Sequence, residues 1–252
     1  MPPLTKSCDI NKNTSPFRAA QVDILIPFHG QYKRVRDLVE SVLLHTVNCQ
    51  YLITLIDDGS PNTSFLPSVA KSAPVHTVRL DEQRGFAAAV NAGYRHTVHP
   101  WVVVLHSDCL IRQRNWMQHL GESLLALRGD NVRLVHARTN TPTVDHPDLP
   151  PSPVEQSTSD RVVATDDPLP LVACMFHREL LNRLGGPLQE YPYAGYENVE
   201  LFYRMKRNGF RQAVCGRAWV EHAGGATISE MDRKQRLMME SNYDLCLRDL
   251  KR

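Results

Sequence analysis

The stretch VDILIPFHGQYKRVRDLVESVLLHTVNCQYLITLIDDGS, residues 22–60, reads as a strand, a helix and a second strand. Val22–Ile26 is a short run rich in β-branched residues, stopped by Pro27. Over Gln31–Thr46, residues Val35, Leu38, Val39, Val42 and Leu43 recur at i, i+3, i+4, i+7 and i+8, the apolar stripe of an amphipathic helix. Tyr51–Ile56 is the second strand, closed by the turn formers Asp57-Asp58-Gly59-Ser60-Pro61. Two strands joined by a helix of this length predict a βαβ unit, whose strands run parallel under the crossover helix.

The alternation continues outward. Val75–Leu80 and Trp101–Leu105 read as strands, and Gly85–Thr97 and Asn115–Leu127 as helices. This rhythm predicts an α/β fold with a mostly parallel central sheet and helices on both faces. Composition shifts near Thr139. From there to Pro170 the chain carries seven prolines among Ser, Thr and Asp. Such a stretch predicts neither a long helix nor a central strand, but a long loop of the kind used as a lid. Regular structure resumes with Leu171–Phe176 (strand), His177–Leu184 (helix), Asn198–Asn208 (helix) and Gln212–Val220 (strand). Met231–Leu250 reads as a charged helix with Leu237, Met238, Tyr243 and Leu247 available for docking. The first 20 residues are polar, with Pro2, Pro3 and Pro16, and are expected to form a flexible arm.

Composition excludes several classes. With 252 residues, 29 Lys+Arg against 27 Asp+Glu, 42% hydrophobic and 22% charged residues, the chain is an ordinary globular protein. The near-balance of charge gives no support to polyanion binding by bulk electrostatics. No apolar run approaches the roughly 18–20 residues of a membrane helix, and the start lacks the apolar core of a signal peptide. Six cysteines are scattered singly, without a CxxC pair. They predict reduced thiols and a cytoplasmic protein, with Cys174 and Cys215 packing inside apolar runs.

In open parallel sheets, ligands bind beyond the carboxyl ends of the strands. There this sequence places Pro27-Phe28-His29-Gly30, Asp57-Asp58-Gly59-Ser60 and His106-Ser107-Asp108. Neither GxGxxG nor GxxxxGK[ST] is present, so no glycine cradle for a pyrophosphate is expected. A carboxylate after the second strand can accept hydrogen bonds from a ribose or a pyrimidine N–H. Phosphate charge would then be met by a divalent metal held by Asp108, with Arg84 nearby.

The series VDILIPFHG, LITLIDDGS, RGFAAAVNAGY, VVVLHSD, GYENVELFYRMKRNGF and VEHAGG, in that order, resembles the family-2 glycosyltransferases of the GT-A fold. The resemblance runs from Val22 to Thr227, roughly four-fifths of the chain. It implies transfer of a sugar from a nucleoside-diphosphate donor, UDP-linked by family precedent, to a hydroxyl on a glycan or other acceptor. Mn2+ or Mg2+ would bridge the diphosphate. It also implies a catalytic domain over 21–230, with a nucleotide-sugar half (21–130), an acceptor half (131–230) that includes the loop 139–170, and a C-terminal helix (231–252). The implied donor site draws on Pro27, Asp57, Asp58, Arg84, Asn91, His106, Ser107 and Asp108. His106-Ser107-Asp108 stands at the DxD position, so Asp108 would ligate the metal, and His222 resembles the late histidine that completes the metal shell.

Tyr196-Glu197-Asn198-Val199-Glu200-Leu201 resembles the family's EDVDL segment, whose second acidic residue is the usual base. Asn198 stands there in this chain, and a neutral amide cannot take a proton at pH 7. Glu197 is the substitute, its ionised form favoured by a helix start by roughly 0.3–1 kcal/mol. Each piece also has a structural reading: the Asp-Gly-Ser-Pro segment as a turn, His222 as a strand-end residue, Glu197 and Glu200 as a solvated helix start. Two alternatives stay open at this stage: a nucleotide-sugar-binding protein impaired at Asn198, and a metal-dependent phosphohydrolase. A nucleic-acid acceptor is possible but nothing in the charge balance indicates one.

Overall fold

The computed structural model describes residues 5–7, 17, 20–62, 64, 68, 69, 71, 74–140, 160–224 and 232–251. Its strands are Thr5–Ser7 (β1), Gln21–Phe28 (β2), Gln50–Asp57 (β3), Val75–Arg79 (β4), Trp101–Leu105 (β5), Cys109–Leu110 (β6), Val132–Thr139 (β7), Arg161–Thr165 (β8), Ala173–His177 (β9) and Arg211–His222 (β10). The helices are Tyr32–His45 (α1), Phe86–Tyr94 (α2), Trp116–Ala126 (α3), Glu179–Arg183 (α4), Glu197–Arg207 (α5) and Arg233–Leu250 (α6). One mixed sheet runs in the order β1-β8-β10-β7-β9-β5-β2-β3-β4, with β6 pairing the end of β10.

The first half follows the βαβ rhythm. β2 pairs β3 and β5, and β3 pairs β4, all parallel. Because successive side chains of a strand face opposite ways, β2 feeds two cores. Ile24 and Ile26 join Val35, Leu38 and Val42 of α1 on one face, while Leu25 meets Ile56, Ala89 and Val90 on the other. Both faces are therefore buried, as a parallel sheet demands. In the second half the direction mixes: β9 is antiparallel to both β5 and β7, and β10 is parallel to β7 but antiparallel to β8.

Three expectations need correction. Thr5–Ser7, read as part of a flexible arm, is an edge strand on β8, and Phe17 is 1% exposed, its ring 5.4 Å from that of Trp101. The 139–170 stretch was expected to hold no central strand, yet β8 lies inside it, between β1 and β10. The physical reason is local: Arg161–Thr165 is proline-free and β-branched, so its amides can join the ladder. Residues 141–159 of that proposed lid lie outside the described residues. Finally, α6 docks by a different face from the one its apolar residues suggest. Asn242 and Cys246 are buried, whereas Leu237 and Tyr243 are 55% and 51% exposed. Among the described residues no helix is long and apolar enough to cross a membrane.

Candidate active site

At the carboxyl ends of β2 and β3 the two aspartates of the turn are locked in place. The backbone N–H of Asp58 donates to Phe28 O (2.8 Å), and His29 Nδ1 donates to Asp58 O (2.7 Å). Asp57 is buried, accepting from the Ser60 N–H (2.8 Å) and pairing with the Arg79 guanidinium. Asp58 spans a gap in sequence: Oδ1 accepts from Arg84 N–H and Oδ2 from Gly85 N–H, both at 2.8 Å. Burial raises the Asp58 carboxyl from its ordinary value, and those two amides pull it back.

Gly85 explains why this loop can close. Its φ is +101°, a region favoured by glycine, and a Cβ there would sit 2.2 Å from Tyr193 O. The next residue, Phe86, donates its N–H to Tyr193 O (2.7 Å) and opens α2. The Phe86 ring then meets the His106 ring edge-on at 4.9 Å. The aspartate turn, the start of α2 and the segment leading into α5 are thus one connected wall.

His106 follows β5, and its N–H donates to Val172 O (2.8 Å) as the chain turns. Three residues on, β6 pairs the end of β10 antiparallel, with His222 opposite Cys109, and the Ala223 N–H donates to Asp108 O (3.0 Å). That pairing brings His222 to Asp108. Asn140, at the end of β7, fixes His222 from the other side: its Nδ2 donates to His222 O (3.0 Å) and its Oδ1 accepts from His222 N–H (2.6 Å). The result is a set in which one ligand atom each from His106, Asp108 and His222 lie within 4.8 Å of one another.

This set suits a divalent ion. His222 is 7% exposed, and neither ring nitrogen has a hydrogen-bond partner among the described residues. Its Nε2 stands 3.1 Å from Asp108 Oδ1 without the alignment of a hydrogen bond, as two ligands around a common centre do. Burial pushes the His106 imidazole down to about 4, so its neutral, ligating form prevails at neutral pH. Two nitrogens and a carboxylate oxygen are donors that Mn2+ accepts readily.

Glu197 is the first residue of α5, after Tyr196 in a left-handed conformation (φ 74°). It is buried, and Oε2 has no hydrogen-bond partner among the described residues. Burial raises its carboxyl above 4.5, partly offset by backbone N–H groups of Glu197 itself and of Gly195. Asn198 beside it is half-buried. Glu200, one turn on, faces Arg204 at 3.1 Å.

Residues 23–168, more than half of the chain, match the model of glycosyl transferase family 2. The chain belongs to that family. An uncharacterized glycosyltransferase of Rickettsia felis (strain ATCC VR-1525 / URRWXCal2) is 29% identical over 111 residues, which are 43% of this chain and 18% of that protein. Among solved structures, GalNAc-T7 with UDP, GalNAc and Mn2+ aligns with a TM-score of 0.62 at 17% identity, over 81% of this chain and 44% of that one. The mannosyltransferase PcManGT from Pyrobaculum calidifontis, in complex with GDP-Man and Mn2+, gives 0.59 at 18% identity, over 89% and 64%. S. aureus TarS 1-349 gives 0.59 at 12% identity, over 86% and 65%. At these identities the likeness is one of fold, and the fold is GT-A. The chain spans under a fifth of the curated relative and under two thirds of each of these structures.

In this family-2 chain the residues singled out by sequence take different places. Pro27 is buried in β2, in register with Ile56. Ser107 is buried in the turn between His106 and Asp108. The Arg84 guanidinium reaches Glu190 (2.6 Å) at the half-open rim. Asn91 is buried, its amide committed to both backbone groups of Leu188 and to Glu190, so it holds the 188–190 segment. His106, read by sequence as a donor-site residue only, stands among the metal-competent atoms. Asn140 was not found by sequence: its side chain binds backbone groups of His222, remote in the chain, and neither motif nor spacing signals that.

Proposed function

We propose that this chain transfers a sugar from a nucleoside-diphosphate sugar, UDP-linked, to an acceptor hydroxyl, using a divalent cation. The observation that carries the reading is the convergence of His106, Asp108 and His222 at the carboxyl edge of a GT-A sheet. Two solved neighbours of the same fold hold a nucleotide or nucleotide sugar together with Mn2+. Asp108 and His222, joined by His106, would hold the ion. Mn2+ or Mg2+ bound there would neutralise charge building on the departing diphosphate.

The chain's own residues do the rest. Asp58, anchored to Arg84 and Gly85, shapes the nucleoside wall, and each of its oxygens keeps a second lone pair for a base or ribose donor. Asp57 keeps that turn rigid through Ser60 and Arg79. Arg84, at the rim, can exchange Glu190 for a phosphate oxygen. Glu197 Oε2, buried and unpartnered among the described residues, takes the proton of the acceptor hydroxyl. Its raised carboxyl makes it a better base than an exposed glutamate.

Asn198 at the usual base position favours a second reading, a donor-binding chain without turnover. One experiment separates the two. Incubation with UDP- and GDP-sugars, Mn2+ and a panel of sugar acceptors should release nucleotide, and Asp108→Ala should abolish the release. A donor that raises the melting temperature with no release would favour the binding reading. Release that Asp108→Ala leaves intact would refute the cation site.

A further inference from the structure

At the sheet edge opposite the site above, where β5 and β7 begin and β9 ends, a cavity of about 160 Å3 opens between α3 and α4. Trp101, Leu125 and Val132 line its apolar part, and Arg128, Arg133 and Arg183 its charged part. The Trp101 indole packs edge-on against His177 at 5.3 Å. An apolar protein cavity of about 150 Å3 admits one benzene ring. The space therefore suits a single ring and is too small for a nucleotide sugar.

The charges decide what the ring must carry. Arg183 is paired with Glu179 (3.2 Å), whereas among the described residues no carboxylate stands within ion-pair distance of Arg128 or Arg133. The Arg133 guanidinium is spent on the carbonyls of Arg128 (2.9 Å) and Val132 (3.0 Å) and lies over the Phe210 ring. Among the charged side chains that line the cavity, Arg128, Arg133 and Arg183 outnumber the single carboxylate, Glu179. Burial lowers the proton affinity of both Arg133 and His177, and the charges of Arg128 and Arg183 lower it further, opposed at His177 by Glu179.

We propose that this cavity is a second binding site, for a small aromatic monocarboxylate. The ring enters beside Trp101, and the carboxylate meets Arg128 and Arg183, whose planar forks match its geometry. The site is independent of sugar transfer and of the cation set, which lies at the other ends of the same strands.

Saturation-transfer NMR with benzoate, benzamide and acetate tests it on the full chain. Benzoate should bind at least tenfold more tightly than benzamide, which lacks the charge, and than acetate, which lacks the ring. Arg128→Gln, at an exposed position, should reduce benzoate to the benzamide level, and Leu125→Trp, which fills the cavity, should abolish its binding. Saturating UDP with Mn2+ should leave benzoate affinity unchanged. Equal binding of benzoate and either analogue, insensitivity to Arg128→Gln, or displacement by UDP would each overturn the proposal. Melting temperatures of both variants confirm folding, and Arg128→Gln alone decides if Leu125→Trp does not fold.

Discussion

Glu197 combines features that rarely coexist without a purpose: burial, ionisability and an oxygen, Oε2, left without a partner among the described residues. Its folded carboxyl lies above the ordinary 4.5, so the folded state disfavours the charged form. The stability lost to that burial appears as pH rises above 4.5, and the loss is complete once pH has passed the raised value. Glu197→Gln should therefore raise the melting temperature at pH 7 while lowering kcat by about 10²–10⁴-fold, the usual contribution of a general base. In the wild-type chain the acid limb of kcat should fall at a pH above 4.5, because the base works deprotonated. A melting temperature that drops in the variant, with kcat intact, would assign Glu197 to packing instead. At this scale the sequence was legible where chemistry is written in single letters. Asp108, His222 and Glu197 were expected at the site from residue type and order, and the folded chain brings Asp108 and His222 together. Asn91 was not read correctly as to its task, since only the folded chain shows its amide closed on Leu188.

Helix α6 makes its contacts with polar groups, which is why its apolar residues misdirect. It starts in a capping box, with Asp232 and Gln235 exchanging side-chain and backbone bonds. Asn242, fully buried, donates from Nδ2 to both Pro192 O and Ala194 O at 2.9 Å. Asp249 accepts from Tyr191 OH (3.1 Å), and Gln235 donates to Gln83 (3.1 Å) across the rim. The helix thus ties down the 191–196 segment that delivers Glu197 to the start of α5. Asn242→Ala removes two hydrogen bonds and should cost about 1–3 kcal/mol in urea unfolding. Asn242→Asp sets a carboxylate against two carbonyls and should cost more, with kcat falling further than donor KM rises. A uniform loss in both parameters would mean that α6 supports the fold without positioning the base. Most helices and strands were legible through periodicity, with ends moved by up to three residues, but β7 and the two-residue β6 were not read at all. β8 was missed because proline density around it outweighed its three β-branched residues, and the polar face of α6 because hydrophobic pattern is blind to a buried amide.

Across the whole molecule, the parallel half was legible because each βαβ unit is a local pattern, whereas β9 and β10 find antiparallel partners only after distant segments meet. The candidate cation set lies on that seam. Asp108 belongs to the turn after β5, and His222 ends β10, joined to it through the short β6 pairing. A ligand that bridges them therefore ties the parallel half to the mixed half, and its binding energy becomes folding energy for both. At a hundredfold excess over Kd, a ligand specific for the folded state adds about 2.7 kcal/mol. For a chain of this size each kcal/mol moves Tm by about 2–4 °C, so UDP with Mn2+ should raise Tm by roughly 5–11 °C. Chelation with EDTA should remove most of that rise, because the diphosphate would then meet His106, Asp108 and His222 without a cation between them. Asp108→Ala should show the chelated behaviour even with Mn2+ present, provided its own Tm stays within a few degrees of wild type. A UDP shift of full size in EDTA would mean that nucleotide is held by the Asp58 wall and Arg84 alone, and the seam would then be a structural joint with no cation in it.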